Sequence, residues 1–453
     1  MTDDAPVPAA PPDPAAILRS RNFVVLLVFA AGVGLIVSLV SWGFLELVHK
    51  IQVWVFTDLP TNMGYSSAPS WWYLLVLGLA GLPVAFAVVR LPGNGGHVPV
   101  HGLQVGGNEP KMVPGVALAA LASLGLGLVL GPEAPLIAIG GGLAIFTVKL
   151  AKRDAAPQLL MIMAAAGSFA AISVIFGSPL VAAVLVIEAT GLGGPVLPLI
   201  LIPGLISAGI GSLVFIGMSN WSGLSTSAYS LAPLQLAPFT HITWEALGWA
   251  IALGLAGAAV TQIVRRIGLA CVRVVPTKPF VLVPLAGVLV ASLAILFAHT
   301  TDHGAGQVLF SGQDALPGLV SNASTWSLGA LAMVLICKGV AWALSLASFR
   351  GGPTFPAIYL GAAGGIAASH LPGVSLSPAV AVGMGVMVVS FLKLPLSAIV
   401  IATTLTLSAG AAVAPLIILG VVVAYLATLG LEGRLGADAD PAAPAAPSAA
   451  PAG

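Results

Sequence analysis

Apolar stretches joined by short Gly- and Pro-bearing segments run from Phe23 almost to the end of the chain, and they decide the solvent in which it can fold. They cover 23–48, 71–90, 112–130, 134–150, 157–176, 179–190, 195–217, 241–265, 279–299, 325–348, 356–371, 377–392, 395–408 and 411–431. A straight helical span needs roughly 20 apolar residues to cross a hydrocarbon core of about 30 Å. Several stretches meet that length and several fall short. Non-helical backbone survives at membrane depth only where protein buries it or where it lines a watery cavity, so the short pieces are expected to be broken or re-entrant helices beside a permeation path. Composition agrees: 58% of the residues are hydrophobic and 7% charged, against roughly 25% charged in soluble proteins. The expected fold is an all-α polytopic membrane protein.

Residues 1–18, rich in Pro and Ala with three aspartates, and residues 436–453 have the composition of disordered tails. Between them lies one transmembrane domain, 19–435. No cytoplasmic regulatory domain is expected after the last apolar stretch. Arg19 and Arg21 precede an apolar stretch too long for a cleaved secretory signal. Basic residues favour the cytoplasm when they sit in short loops: Arg19 and Arg21, Arg90 and Lys111, Lys149 to Arg153, and a basic loop from Arg265 to Lys278 are expected inside, with Asp58 in an outer loop. Both termini are then cytoplasmic, and the protein is multi-pass in the cell membrane. Sixteen Lys and Arg against 15 Asp and Glu leave a net charge of +1, which gives no argument for nucleic acid as a partner. Two cysteines, Cys271 and Cys337, are too few for a disulfide framework or a zinc site, and no metal or cofactor is expected.

The chain repeats itself. GPEAPLIAIG begins at Gly131 and GPTFPAIYLG at Gly352, with Pro135 and Pro356 standing 221 residues apart. A second pair follows in the same order: Gly167 precedes Pro179-Leu180 as Gly383 precedes Pro395-Leu396, and these prolines stand 216 apart. Two related halves, about 20–220 and 240–432, are expected, of the inverted-topology kind that places a binding site where broken helices meet near the bilayer midplane.

A Gly-Pro step before an apolar run reads as a helix start, because Pro suits the first helical position. Free N–H groups and the positive end of the macrodipole can hold an anion there without a full positive charge, and weakly enough to release it. The amides near Gly131, Ala134, Thr354 and Phe355 are the candidate anion ligands. Glu133, a carboxylate within apolar sequence, is a functional candidate by default. In the first helical turn it either complements the dipole or occupies the anion's own place as a gate, leaving on protonation. Thr354 stands at the equivalent place in the second half, so the repeat does not demand an acid.

At these residues the sequence resembles the CLC family of chloride channels and chloride/proton antiporters. GPEAP (131–135) looks like the family's GREGP, with Glu133 on the gating glutamate. FRGGPTFPAIYLGAAGG (349–365) is similar to the GGxFxP segment, and AAAGSFAAISVIFGSPLVAAVLVIEA (164–189) to the stretch from NAPL to FxIEE. VGMGVMVVSFLKLPLSAIVIATTLT (382–406) resembles its second-half counterpart, and GGHVP (95–99) occupies the place of GSGIP. The resemblance covers about 23–431 and implies a chloride (anion) channel or transporter in the lipid bilayer, not an enzyme, built as a homodimer with a pore in each subunit.

Departures from the family pattern are specific. Gly96 stands where the anion-coordinating serine sits, leaving the backbone of Gly95 and Gly96, with Asn94 as a substitute if the loop is shifted. Of the two anion-facing amides in GGPTFP, Pro353 has no N–H, so Thr354 and Phe355 must serve. The chain is expected to stop before the family's final helix with its anion-binding tyrosine, and Tyr425, within the last span, reads as packing or interface rather than as that tyrosine. Ala189 falls on the antiporters' inner glutamate and Glu188 one residue earlier, about 100° around a helix; Glu188 is either a displaced proton-pathway residue or a structural carboxylate. His97 and His101 could tune the loop by charge, and Arg350 either concentrates anions at a pore mouth or anchors topology. The leading expectation is a CLC-type anion channel or transporter gated by Glu133, and the loss of the inner glutamate favours a passive conductor or a carrier whose protons take another route. The alternatives are an anion/proton antiporter for chloride or fluoride and a cation-coupled solute carrier of another inverted-repeat fold.

Overall fold

The structure, a computed structural model, describes residues 18–106, 109–191, 193–194, 197–222, 231 and 233–435. The tails expected over 1–18 and 436–453 lie, Leu18 apart, outside these residues. Its helices are α1 (Arg21–Val53), α2 (Ser70–Arg90), α3 (Val113–Gly125), α4 (Glu133–Ala151), α5 (Pro157–Phe176), α6 (Pro179–Thr190) and α7 (Leu197–Ser222), then α8 (Trp244–Val274), α9 (Pro279–Thr300), α10 (Ala315–Ser321), α11 (Leu328–Ser348), α12 (Thr354–Ser369), α13 (Leu376–Leu392), α14 (Pro395–Leu405) and α15 (Ala414–Leu435). Among the described residues nine helices are long and apolar enough to cross a membrane, while α6, α13 and α14 are shorter apolar helices.

Local chemistry sets the ends. Proline opens α5, α6, α9 and α14, where its missing N–H costs nothing. Side chains of Ser178, Thr243 and Ser327 accept from the first-turn amides of α6, α8 and α11. Gly177 (φ 59°) stops α5 in the left-handed region, and Lys393 (φ 60°) stops α13 at the matching point of the second half.

Three sequence expectations are corrected. The stretch expected over 112–130 stops being helical at Gly125, because Gly127 turns the chain at φ 93°. The first helix does not end near 48. It runs on through a π turn (Trp54–Asp58) into Leu59–Asn62, so Asp58 is helical, since nothing before Pro60 breaks the pattern. The basic segment 265–278 is largely the last turns of α8; Leu, Arg and Ala propagate a helix and Pro276 ends it. The short helix α10 was not foreseen.

The order α1, α2, α3, α4, α5, α6, α7 recurs as α8, α9, α11, α12, α13, α14, α15, with α10 interposed. Packing recurs with it: α4 lies on α5 as α12 lies on α13, and α1 on α7 as α8 on α15. Helices that lipid solvates as well as it solvates each other associate through close fit. Accordingly α12 and α13, the most enclosed pair, cross where Gly361 and Gly383 face each other's backbone. The two halves meet through α2 on α9, α6 on α14, and the two Gly-Pro motifs.

Candidate functional site

Gly131 N–H donates to the Gly352 carbonyl (2.7 Å) and Gly352 N–H to the Gly131 carbonyl (2.5 Å), an antiparallel bridge between residues at the same place in the two motifs. A reciprocal bond between equivalent residues is what a local two-fold axis produces. From it the chain turns through Pro132 (φ −83°, ψ −7°) into α4 and through Pro353 (φ −88°, ψ −15°) into α12. Only glycine fits at either bridge position. A Cβ on Gly131 would stand 2.8 Å from Phe355 Cδ2, and one on Gly352 would fall on the Glu133 carboxyl group.

Glu133, the first residue of α4, is fully buried, and its Oε1 accepts from the Thr354 N–H at 2.5 Å. The carboxyl at the head of α4 thus caps α12, its counterpart in the second half, where unpaired amides and the positive dipole end favour negative charge. Its Oε2 and the Thr354 hydroxyl are buried with no hydrogen-bond partner among the described residues. Buried polar atoms without partners are costly, and both of these belong to the residue pair that joins the two helix starts. Phe355 follows, buried, with its ring stacked on Phe176 at 5.5 Å.

Two cavities approach this point from different sides. One, of about 530 Å³, is lined by Gly95, Gly96, His97, Ala134, Ala189 and Arg350 among others. The other, of about 300 Å³, reaches Leu130 and Pro132 and is bounded by His49, Gln52, Gln313 and Asp314. Ala134 and Pro135 face the first cavity and Pro132 the second, so Glu133 stands between them. We call them the arginine and aspartate vestibules.

The candidate residues fall as follows. Gly95 (φ 71°) and Gly96 (φ 101°) wall the arginine vestibule, with Ala134 opposite. Gly131 needs correction as an anion ligand: its N–H is committed to Gly352, and only the following turn remains free. Glu188 does not line the vestibule, whereas Ala189 does. Both oxygens of Glu188 are taken by the start of α14, accepting from Leu396 N–H (2.8 Å), Ser397 N–H (2.7 Å) and Ser397 hydroxyl (2.6 Å). His97 is held uncharged: burial first, then His101 and Arg350, lower its pKa from 6.5 to about 4, against an opposing hydrogen bond to the Gly102 carbonyl. Arg350 is buried in the vestibule wall rather than exposed at a flank. Tyr425 packs against the core, away from both vestibules.

Two residues were missed. Lys338, wholly buried in α11, donates to the carbonyls of Gln307, Val308, Leu309 (each 3.1 Å) and Phe310 (3.3 Å) and lies 4.5 Å from the Tyr359 ring centroid. A lysine inside an apolar stretch was itself the signal. Gln313, whose buried Nε2 has no partner among the described residues, carried no signal, because its loop becomes a wall only in the folded protein.

An all-helical polytopic fold whose two repeats place helix starts against one buried carboxyl, with a cavity reaching each side of it, defines a membrane protein for moving anions. The chain belongs to the CLC family: the profile of that family, described as voltage gated chloride channel, matches residues 99–429. Members transport anions and are not enzymes. The chain is 28% identical over 363 residues to the "Putative ion-transport protein YfeO" of Salmonella choleraesuis, covering 77% of this chain and 81% of that one. The Escherichia fergusonii protein of the same name is 26% identical over 372 residues, covering 79% and 82%. Among solved structures, a slow cyanobacterial Cl-/H+ antiporter superposes with a TM-score of 0.69 at 20% identity over 90% of this chain and 95% of that one. A CLC-type fluoride/proton antiporter gives 0.63 at 16% identity over 89% and 95%. At these identities the structures establish the shared fold.

Proposed function

We propose that this protein passes chloride or a similar small anion between the two vestibules and that Glu133 is its gate. The observation that carries this reading is the bond from Thr354 N–H to Glu133 Oε1 at the point separating the cavities. The carboxylate holds the place of an anion at the α12 N-terminus, so charge and dipole favour the closed state. Protonation removes the negative charge that binds it there, the side chain leaves, and the Thr354 and Phe355 amides become available to the permeant ion. In proteoliposomes loaded with chloride, Glu133→Ala removes most of the pH dependence of efflux while flux persists. Retained wild-type pH dependence rules the gate out.

Conduction is passive in this reading. Ala189, at the vestibule wall, cannot carry a proton, and Glu188 is occupied as the cap of α14. An uphill chloride gradient is expected to drive no proton uptake; stoichiometric uptake would establish an antiporter instead. The protein is a homodimer in the cell membrane with cytoplasmic termini. Supporting the dimer, α6 and α14 are too short to span lipid alone, yet Leu180 (63%) and Leu396 (61%) are exposed at matching positions on their outer face. Scattering from the detergent-solubilised protein should give twice the chain mass, and a monomer would exclude this assembly.

A further inference from the structure

The basic side chains drawn into this fold are not equivalent. Lys338 spends its donors on four carbonyls, and Lys393 and Arg265 both pair with Glu432. Arg350, 7% exposed, meets no carboxylate among the described residues. Its Nε donates to the Asn94 carbonyl (3.4 Å) and its Nη1 to the Phe349 carbonyl (3.1 Å), while Ser123 Oγ accepts from its backbone N–H (3.1 Å). A guanidinium carries five N–H donors. Nη2 and the second hydrogen of Nη1 therefore have no protein acceptor among the described residues, and the residue lines the arginine vestibule. A buried charge without a partner is costly unless something else supplies the opposite charge. The two carbonyls fix the plane of the head and leave its remaining N–H groups available to a ligand in the cavity that the residue lines.

We infer that Arg350 is an anion-binding residue of the arginine vestibule, holding a small monovalent anion, halide or planar oxyanion, through its free guanidinium edge before that ion reaches the helix starts at Thr354. The assignment rests on the pathway proposed above and adds to it a loading station with a full positive charge. The charge is felt across the cavity, for it helps keep His97 neutral. The two carbonyl acceptors temper it, so that the ion is attracted without being trapped, as conduction requires. Lysine would keep the charge without the planar fork, and glutamine would keep some hydrogen bonding without the charge.

The test measures chloride and nitrate flux against concentration in proteoliposomes, for the wild type, Arg350→Gln and Arg350→Lys, each with and without Glu133→Ala. Arg350→Gln is expected to raise the half-saturating chloride concentration about tenfold in both backgrounds, equivalent to about 1.4 kcal/mol. Arg350→Lys is expected to stay within about threefold of wild type for chloride and to lose more for nitrate, since lysine cannot bind it bidentately. Half-saturation unchanged within about twofold in Arg350→Gln overturns the assignment. So does an equal loss in Arg350→Lys and Arg350→Gln for both ions, which would make Arg350 a structural tether of Asn94 and Phe349. Chloride titration calorimetry on the solubilised variants reads the same affinity change without transport, so loss of the Glu133 gating result would sink the pathway reading while leaving this one measured.

Discussion

Lys338 is held by backbone carbonyls. Its four carbonyl partners are consecutive residues of the segment that walls the aspartate vestibule, and the Tyr359 ring beneath it holds the same segment through a 2.6 Å bond from its hydroxyl to Gln307 Oε1. Lys338→Met leaves those carbonyls without their donor, at a cost of about 1–3 kcal/mol. A lower thermal transition of the solubilised protein, with faster amide exchange over 307–312, is the expected result; unchanged exchange there would show that the segment holds itself. His97 makes a second prediction. Its folded pKa of about 4 lies below the unfolded 6.5, so between these values the unfolded chain binds the proton and the native chain does not. Its contribution is complete above pH 6.5 and lost as pH falls toward 4. His97→Gln should flatten that acid limb of stability and leave the pH midpoint of chloride efflux across roughly pH 5–8 unmoved; a shifted midpoint would make His97 part of the gate.

At the scale of elements, helix starts were the legible part. Proline at the head of α5, α6, α9 and α14 marked their first residues in the sequence, because its fixed φ and missing N–H have one favourable place in a helix. Ends were less legible: α8 runs on to Val274 because charged residues that read as a loop are also good helix formers. The partner of α14 was not legible at all. Glu188 closes its N-terminus from a neighbouring helix, so Glu188→Ala should cost about 0.5–2 kcal/mol, as the loss of a helix cap does. Faster exchange of the Leu396 and Ser397 amides, with proton movement still absent from chloride transport, is the expected outcome. Proton uptake that is present in the wild type and lost in Glu188→Ala would instead make it a relay.

At the scale of the molecule, two halves are fitted against each other. Helix α2 lies on α9 so closely that a Cβ on Gly81 would stand 2.5 Å from Pro284 Cα, and one on Gly287 would meet the Leu77 carbonyl. Gly287→Leu should therefore lower the yield of monodisperse protein in detergent more than Gly430→Leu, where a Cβ meets nothing within 4 Å. Equal yields would mean that the halves tolerate separation here.

Solvent, helix starts, the doubled motif and the carboxylate at its head were determined by the sequence alone, because each is local: apolar length, proline geometry and residue identity act within a few positions of themselves. Contacts between residues hundreds of positions apart were decided by the tertiary structure. It spent the Gly131 amide on Gly352, gave the Glu133 carboxyl to Thr354, closed α14 with Glu188, and left the Arg350 head with donors to spare. A hydrogen-bonding group has only so many partners, and which of them it meets is settled where chain segments converge.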